Sequence, residues 1–225
     1  MKIAIGVEYD GSGFHGWQFQ PGLATIQGAL QDAVSAIAGE AVSVVAAGRT
    51  DAGVHALEQI AHFETGVSRP VQAWVRGVNS HLPAAIAVRW ATPVDDDFHA
   101  RFVAVSRSYR YVLLNHPVRP ALSAGRVGWY HRALDVERMS LAASRLVGTH
   151  DFSSFRSSEC QAKSPVKTLH HVRVERFGDY IVFDFLGTGF LHHMVRNIVG
   201  ALLWIGYAKV PPEWFATLLD ARDRT

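Results

Sequence analysis

The sequence predicts an α+β protein of two similar halves, each with helices packed on one face of antiparallel sheet. Three observations predict it. Short runs alternate apolar and polar residues, the period of half-buried strands. Between them lie runs with apolar residues on one helical face, bounded by capping residues. The order strand, helix, strand, loop, then helix and paired strands again is read on either side of a connector from Asn115 to Tyr130, which holds two prolines and two glycines. No sequence repeat relates the halves. Their expected extents are 1–115 and 116–225.

Taken in order, Ile3, Ile5, Val7 and Tyr9 alternate with Ala4, Gly6 and Glu8, giving a strand with one apolar face. The stretch from Asp10 to Gln18 is too glycine-rich for regular structure. Its glycines, interleaved with Phe14, His15 and Trp17, suggest a mobile loop presenting aromatic rings; aromatics folded back onto the core are the alternative. Thr25 is a natural N-cap for a helix with Ile26, Leu30, Ala33, Val34 and Ile37 on one face, stopped by Gly39. Val42 to Val45 and Gln59 to Phe63 read as strands, Pro70 opens a second helix, and Ile86, Val88 and Trp90 alternate as another strand. Asp95, Asp96 and Asp97 read as a solvated loop, because adjacent acids on extended chain splay to both sides. Past the connector, Asp135 caps a helix that stops at Gly148, and a Gly178-Asp179 turn joins two strands into a hairpin. The stretch from Gly189 to Gly200 begins a helix that stays apolar through Ile205.

Composition narrows the class. With 225 residues, 48% hydrophobic and 19% charged, the chain is globular and could form one large or two small domains. A single cysteine, Cys160, leaves no internal disulfide framework and no cysteine-built zinc site within one chain, which fits a reducing compartment. Strand-like residues from Ile3 argue against a signal peptide. The longest apolar stretch, Ile198 to Ile205, is too short to span a bilayer. Net charge is only +2, so a basic face must come from distribution. The 12 histidines show no metal-ligand spacing, and no metal is expected.

The stretch that carries chemistry is Ala46 to Ala56. Gly48 and Gly53 bracket one carboxylate, Asp51, with Arg49 before it and His55 after it. Glycine at both flanks permits tight backbone and close approach of a large ligand. The residues alone leave open an Asx-type turn in which Asp51 caps its own loop. The run Gly-Arg-Thr-Asp-Ala-Gly-Val-His, however, resembles the signature loop of the TruA family of tRNA pseudouridine synthases, in which the aspartate is the catalytic nucleophile.

Further motifs extend the resemblance over almost the whole chain. Tyr-Asp-Gly-Ser-Gly-Phe-His-Gly-Trp-Gln is similar to the family's opening, a loop that would lie against the substrate RNA. Phe-His-Ala-Arg-Phe would put Arg101 near the RNA. By alternation Arg107, Tyr109, Tyr111 and Leu113 share one strand face. The run resembles the family's Arg-x-Tyr-x-Tyr, whose first tyrosine, here Tyr109, stacks on the target uracil. Arg49, His55, Arg107 and Arg110 are expected among the RNA contacts, since aromatic faces hold unstacked bases and arginines take phosphates. His150 and Asp151 lie in a similar family run and are read as structural. Phe-x-x-x-Met-Val-Arg-x-Ile-Val-Gly is similar to the family helix whose arginine reaches the catalytic aspartate. Arg196 stands among apolar neighbours, where burial without a carboxylate would be costly, and Asp51 is its expected partner.

The resemblance implies that the sheets of both halves join into one, with a cleft at the junction. It implies uridine isomerisation in the tRNA anticodon arm, at positions 38 to 40, by a cytoplasmic homodimer. The reaction breaks the bond from uracil N1 to ribose, turns the base and re-bonds through carbon 5. It needs a nucleophile, Asp51; a ring to hold the base, Tyr109, also the candidate proton acceptor; and no cofactor. The target must leave its stack to be reached. A non-catalytic RNA-binding protein is the alternative, and a glycoside hydrolase would want a second carboxylate. Family members continue past the last helix into a closing strand that supplies an apolar residue near the site. The sequence stops at Arg224-Thr225, so that strand is expected to be missing from it.

Overall fold

The computed structural model describes residues 1–223. The chain divides into two compact units, Met1–Ala104 and Val105–Thr225. The expected boundary after residue 115 therefore lies too late. The strand from Arg107 to Asn115 is hydrogen-bonded along its length to the strand from Tyr180 to Gly187, and this ladder draws it into the second unit.

In the first unit four strands form an antiparallel sheet in the order β2-β3-β1-β4: β1 Lys2–Tyr9, β2 Val44–Ala46, β3 Ala56–Glu64 and β4 Ile86–Val94. Helix α1, Ile26–Ala38, starts where Thr25 accepts a hydrogen bond from the Gly28 N–H and ends at Gly39 with φ 73°. Both caps are the expected ones, and the buried stripe Ile26, Leu30, Ala33 and Val34 faces the core. A second helical stretch follows Pro70, with a π turn at Ala73–Gly77 before α2, Val78–His81. Ile3, Ile5, Val7 and Tyr9 pack with Leu30, Val34, Phe63, Trp74 and Val78 in one core. Gly6 points the other way, where a Cβ would sit 2.3 Å from the Trp90 ring; Trp90 crosses the strand there and donates to Glu58 at 2.7 Å. Asp95, Asp96 and Asp97 form an exposed turn, as expected.

The second unit holds a five-stranded sheet in the order β6-β5-β9-β8-β7: β5 Arg107–Asn115, β6 Gly128–Tyr130, β7 Gly148–Asp151, β8 Val166–Phe177 and β9 Tyr180–Gly187. It is mixed, not wholly antiparallel. The short β6, inside the stretch expected to be a connector, runs parallel to β5. Helix α3, Val136–Ala143, is capped by Asp135 accepting from Arg138 N–H at 3.0 Å. It packs with α4, Met194–Gly206, and α5, Trp214–Ala221, around Met139, Phe183, Phe185, Ile198, Leu202 and Phe215. α4 begins at Met194, later than expected. His193 precedes it in the left-handed conformation, φ 60°, which turns residues 189–192 away from the helix axis. Asp151 accepts from Ser153 N–H at 2.9 Å, in keeping with a structural reading.

Candidate active site

Asp51 sits half-buried in the loop joining β2 to β3. The loop is pinned residue by residue. Ala47 N–H donates to Ile60 O at 2.8 Å, and Gln59 Nε2 donates to Gly48 O at 2.8 Å. Trp17 N–H donates to Thr50 O at 3.0 Å, and Val54 N–H closes a turn on Asp51 O at 3.2 Å. The Tyr9 hydroxyl lies 2.9 Å from Thr50 Oγ1. Gly53 takes φ 76°, so the glycine after the carboxylate is a turn requirement.

The stretch from Asp10 to Trp17 is no free loop. It forms a 3₁₀ turn, Gly11–Gly13, in which Asp10 accepts from Ser12 N–H at 3.0 Å. It then runs as a strap against the Asp51 loop. A Cβ on Gly11 would lie 2.1 Å from Val54 O, and one on Gly16 2.8 Å from Thr50 O. These glycines are there for close backbone approach. Trp17 is buried at 2% exposure with its ring centroid 6.0 Å from Tyr9. Phe14 packs against the core, so Phe14 and Trp17 fold inward, while His15 alone of the three rings stays exposed. His55 Nδ1 lies 3.1 Å from both Gly11 N and Asp10 Oδ1. As acceptor from Gly11 it carries no proton; protonated, it would instead donate to Asp10. Arg49 is exposed in the loop. Arg101 is exposed in the turn after β4, its guanidinium 6.0 Å from the Phe102 ring.

In the second unit β5 carries the other candidates. Its alternation is as expected. Arg107, Tyr109 and Tyr111 are half-buried on one face, while Ser108 and Arg110 are exposed on the other. The Tyr109 ring meets Phe190 edge-on, centroids 4.9 Å apart, just before α4. Arg107 donates to Thr188 O at 2.9 Å. Arg110 forks onto Asp184 across to β9 at 2.7 and 3.2 Å, and this carboxylate raises the arginine's pKa further. Arg196 is exposed in the first turn of α4, beside Asn197, while Ile198 and Val199 turn inward. Arg196 is therefore not buried among apolar neighbours: Ile198 lies on the far side of the helix, and Gly200, one turn on beside it, is exposed and has no side chain to cover it.

Sequence reasoning missed Tyr9, Gln59 and Phe190. Each reaches its partner across the fold, and a strand-end tyrosine on an apolar face reads as core. Only the glycine spacing from 11 to 16 hinted that something packs closely there.

A family model described as tRNA pseudouridine synthase matches residues 5–103 and 142–225. The chain belongs to the tRNA pseudouridine synthase family. It is 63% identical over its whole length to a tRNA pseudouridine synthase A of Thiobacillus denitrificans, of which it covers 86%. It is 57% identical to the protein of that name from Dechloromonas aromatica, again covering 86% of it. A further one from Chromobacterium violaceum is 59% identical and also 86% covered. Among the described residues, no helix is long and apolar enough to cross a membrane.

Proposed function

We propose that this chain isomerises uridine to pseudouridine in the anticodon arm of tRNA, at positions 38 to 40, with Asp51 as nucleophile. Family membership supports the reaction class. The observation that carries Asp51 is its loop: a half-buried carboxylate on a backbone tied down at residues 47, 48, 50 and 54. A capping aspartate needs no such anchorage, whereas a nucleophile gains from being held near its attack geometry.

Within this reading the base leaves its stack and lies on the Tyr109 ring, which Phe190 holds edge-on. Asp51 forms a transient covalent bond to the target nucleotide, the N1–C1′ bond breaks, the uracil turns, C5 bonds to C1′, and the bond to Asp51 is released. N1 gains a proton and C5 loses one, for which the Tyr109 hydroxyl is the candidate acceptor, so the atoms balance without a co-reactant. Arg196 supplies the cation that the family's helix brings to the aspartate. Arg49, His55, Arg101 and Arg107 contact the RNA. Arg110, its fork held by Asp184, contributes least. The working form is a cytoplasmic homodimer, checked by light scattering.

The test is incubation with an unmodified tRNA transcript, followed by mapping of pseudouridine. Pseudouridine at 38 to 40 is the expected product. Pseudouridine elsewhere removes the site assignment, and none at all removes the activity.

A further inference from the structure

Tyr9 is the last residue of β1 and its ring belongs to the core, at 2% exposure. Packing alone would be served by phenylalanine. A buried hydroxyl is costly unless it is partnered, and this one is: it lies 2.9 Å from Thr50 Oγ1 and is also hydrogen-bonded by the Gln59 side chain. Gln59 in turn donates to Gly48 O at 2.8 Å. One hydroxyl therefore meets the Asp51 loop at residue 50 directly and at residue 48 through Gln59. The pairing of β1 with β3 slips between Val7 and Tyr9. Such an irregularity re-aims a side chain, and here it occurs where Tyr9 turns toward the loop. Thr50 is held twice, by Tyr9 on its side chain and by Trp17 N–H on its carbonyl. Burial pushes the tyrosine's pKa up, so it stays a neutral phenol at working pH.

We propose that Tyr9 is a positioning residue for the isomerisation: its hydroxyl, acting through Thr50, fixes the backbone from which Asp51 projects. This rests on Asp51 being the nucleophile, as argued above. Displacing a reacting group by about 1 Å can cost on the order of a hundredfold in rate, while tRNA affinity is shared between Arg49 and His55 of this loop and Arg101, Arg107 and Tyr109 outside it. The effect should therefore fall on the chemical step.

The experiment compares wild type, Tyr9→Phe, Thr50→Val and the double variant on one unmodified tRNA transcript. Single-turnover rate at saturating protein, tRNA Kd and Tm are measured for each. Tyr9→Phe should lower the rate by about tenfold or more while Kd stays within about threefold. Thr50→Val, isosteric and in a half-buried loop, should give a similar fall. The double variant should be no slower than the worse single one, because both remove the same link. A wild-type rate in Tyr9→Phe overturns the inference, as do losses that multiply in the double variant or a loss carried by Kd alone. If Tyr9→Phe fails to fold, Thr50→Val decides alone, and a wild-type rate there overturns it equally. Failure of the underlying reading looks different: wild type forms no pseudouridine, or Asp51→Asn still turns over, whatever Tyr9→Phe does.

Discussion

Tyr109 offers two chemical handles, a ring face and a hydroxyl, and they can be separated. Phe190 meets the ring edge-on, a contact that phenylalanine in place of Tyr109 would keep. Base stacking is worth about 1–3 kcal/mol. In Tyr109→Phe that term survives, so tRNA binding should hold while product formation fails, read by gel shift and by pseudouridine mapping. Full activity in the variant would reduce Tyr109 to a platform. The face that Tyr109 shares with Arg107 is legible in sequence from period-two alternation, and that face is present, whereas its stacking role comes from the family resemblance and not from the alternation. Arg196 is the opposite case. Most of its neighbours in sequence are apolar, but Ile198 turns to the far side of the helix, and Asn197 and Gly200 are exposed beside it, so the guanidinium stands exposed.

The strap and the loop it lies against form the element that matters most. Gly11 and Gly22 are both glycines of the first unit, needed for different reasons. At Gly11 an added methyl meets the Val54 carbonyl at 2.1 Å. At Gly22 nothing lies within 4 Å, but φ is 77°. Gly11→Ala should cost about 1–3 kcal/mol through forced backbone movement and should depress turnover. Gly22→Ala should cost about 1 kcal/mol of strain and leave turnover alone. Thermal unfolding and single-turnover rates check both. A second pairing supports the turn carrying Arg101. His62, buried on β3, accepts from Ala100 N–H at 3.3 Å. Burial lowers its pKa, with His99 and Lys2 adding to the effect and Glu64 opposing it. The folded state thus takes up the proton later than the unfolded chain as pH falls. Stability should drop as pH goes below about 6.5, and His62→Gln should flatten that part of the Tm profile. Helix α1 could be read in full because its caps and stripe are local. The start of α4, the parallel β6 and the inward fold of Trp17 could not. They depend respectively on a left-handed His193, a three-residue ladder to β5 and the Tyr9 ring.

At the scale of the molecule, net charge is only +2, so attraction to RNA must come from placed cations. Each phosphate contact contributes roughly 0.7–0.9 to the slope of log K against log salt. Replacing Arg49, Arg101 or Arg107 by alanine should each lower that slope by about one, measured by filter binding from low to moderate salt. Arg110→Ala should leave it near wild type, because Asp184 already engages its fork. A steep loss at Arg110 would mean the ion pair opens toward the RNA. In the proposed reaction Asp51 is the reacting carboxylate, projecting from a loop that its neighbouring residues tie down. The most direct test of that role is the single-turnover rate of pure Asp51→Ala on unmodified tRNA, with tRNA affinity measured alongside. The predicted result is no pseudouridine, with Kd within about tenfold of wild type, or about 1.4 kcal/mol; pseudouridine formed by the pure variant would contradict the account.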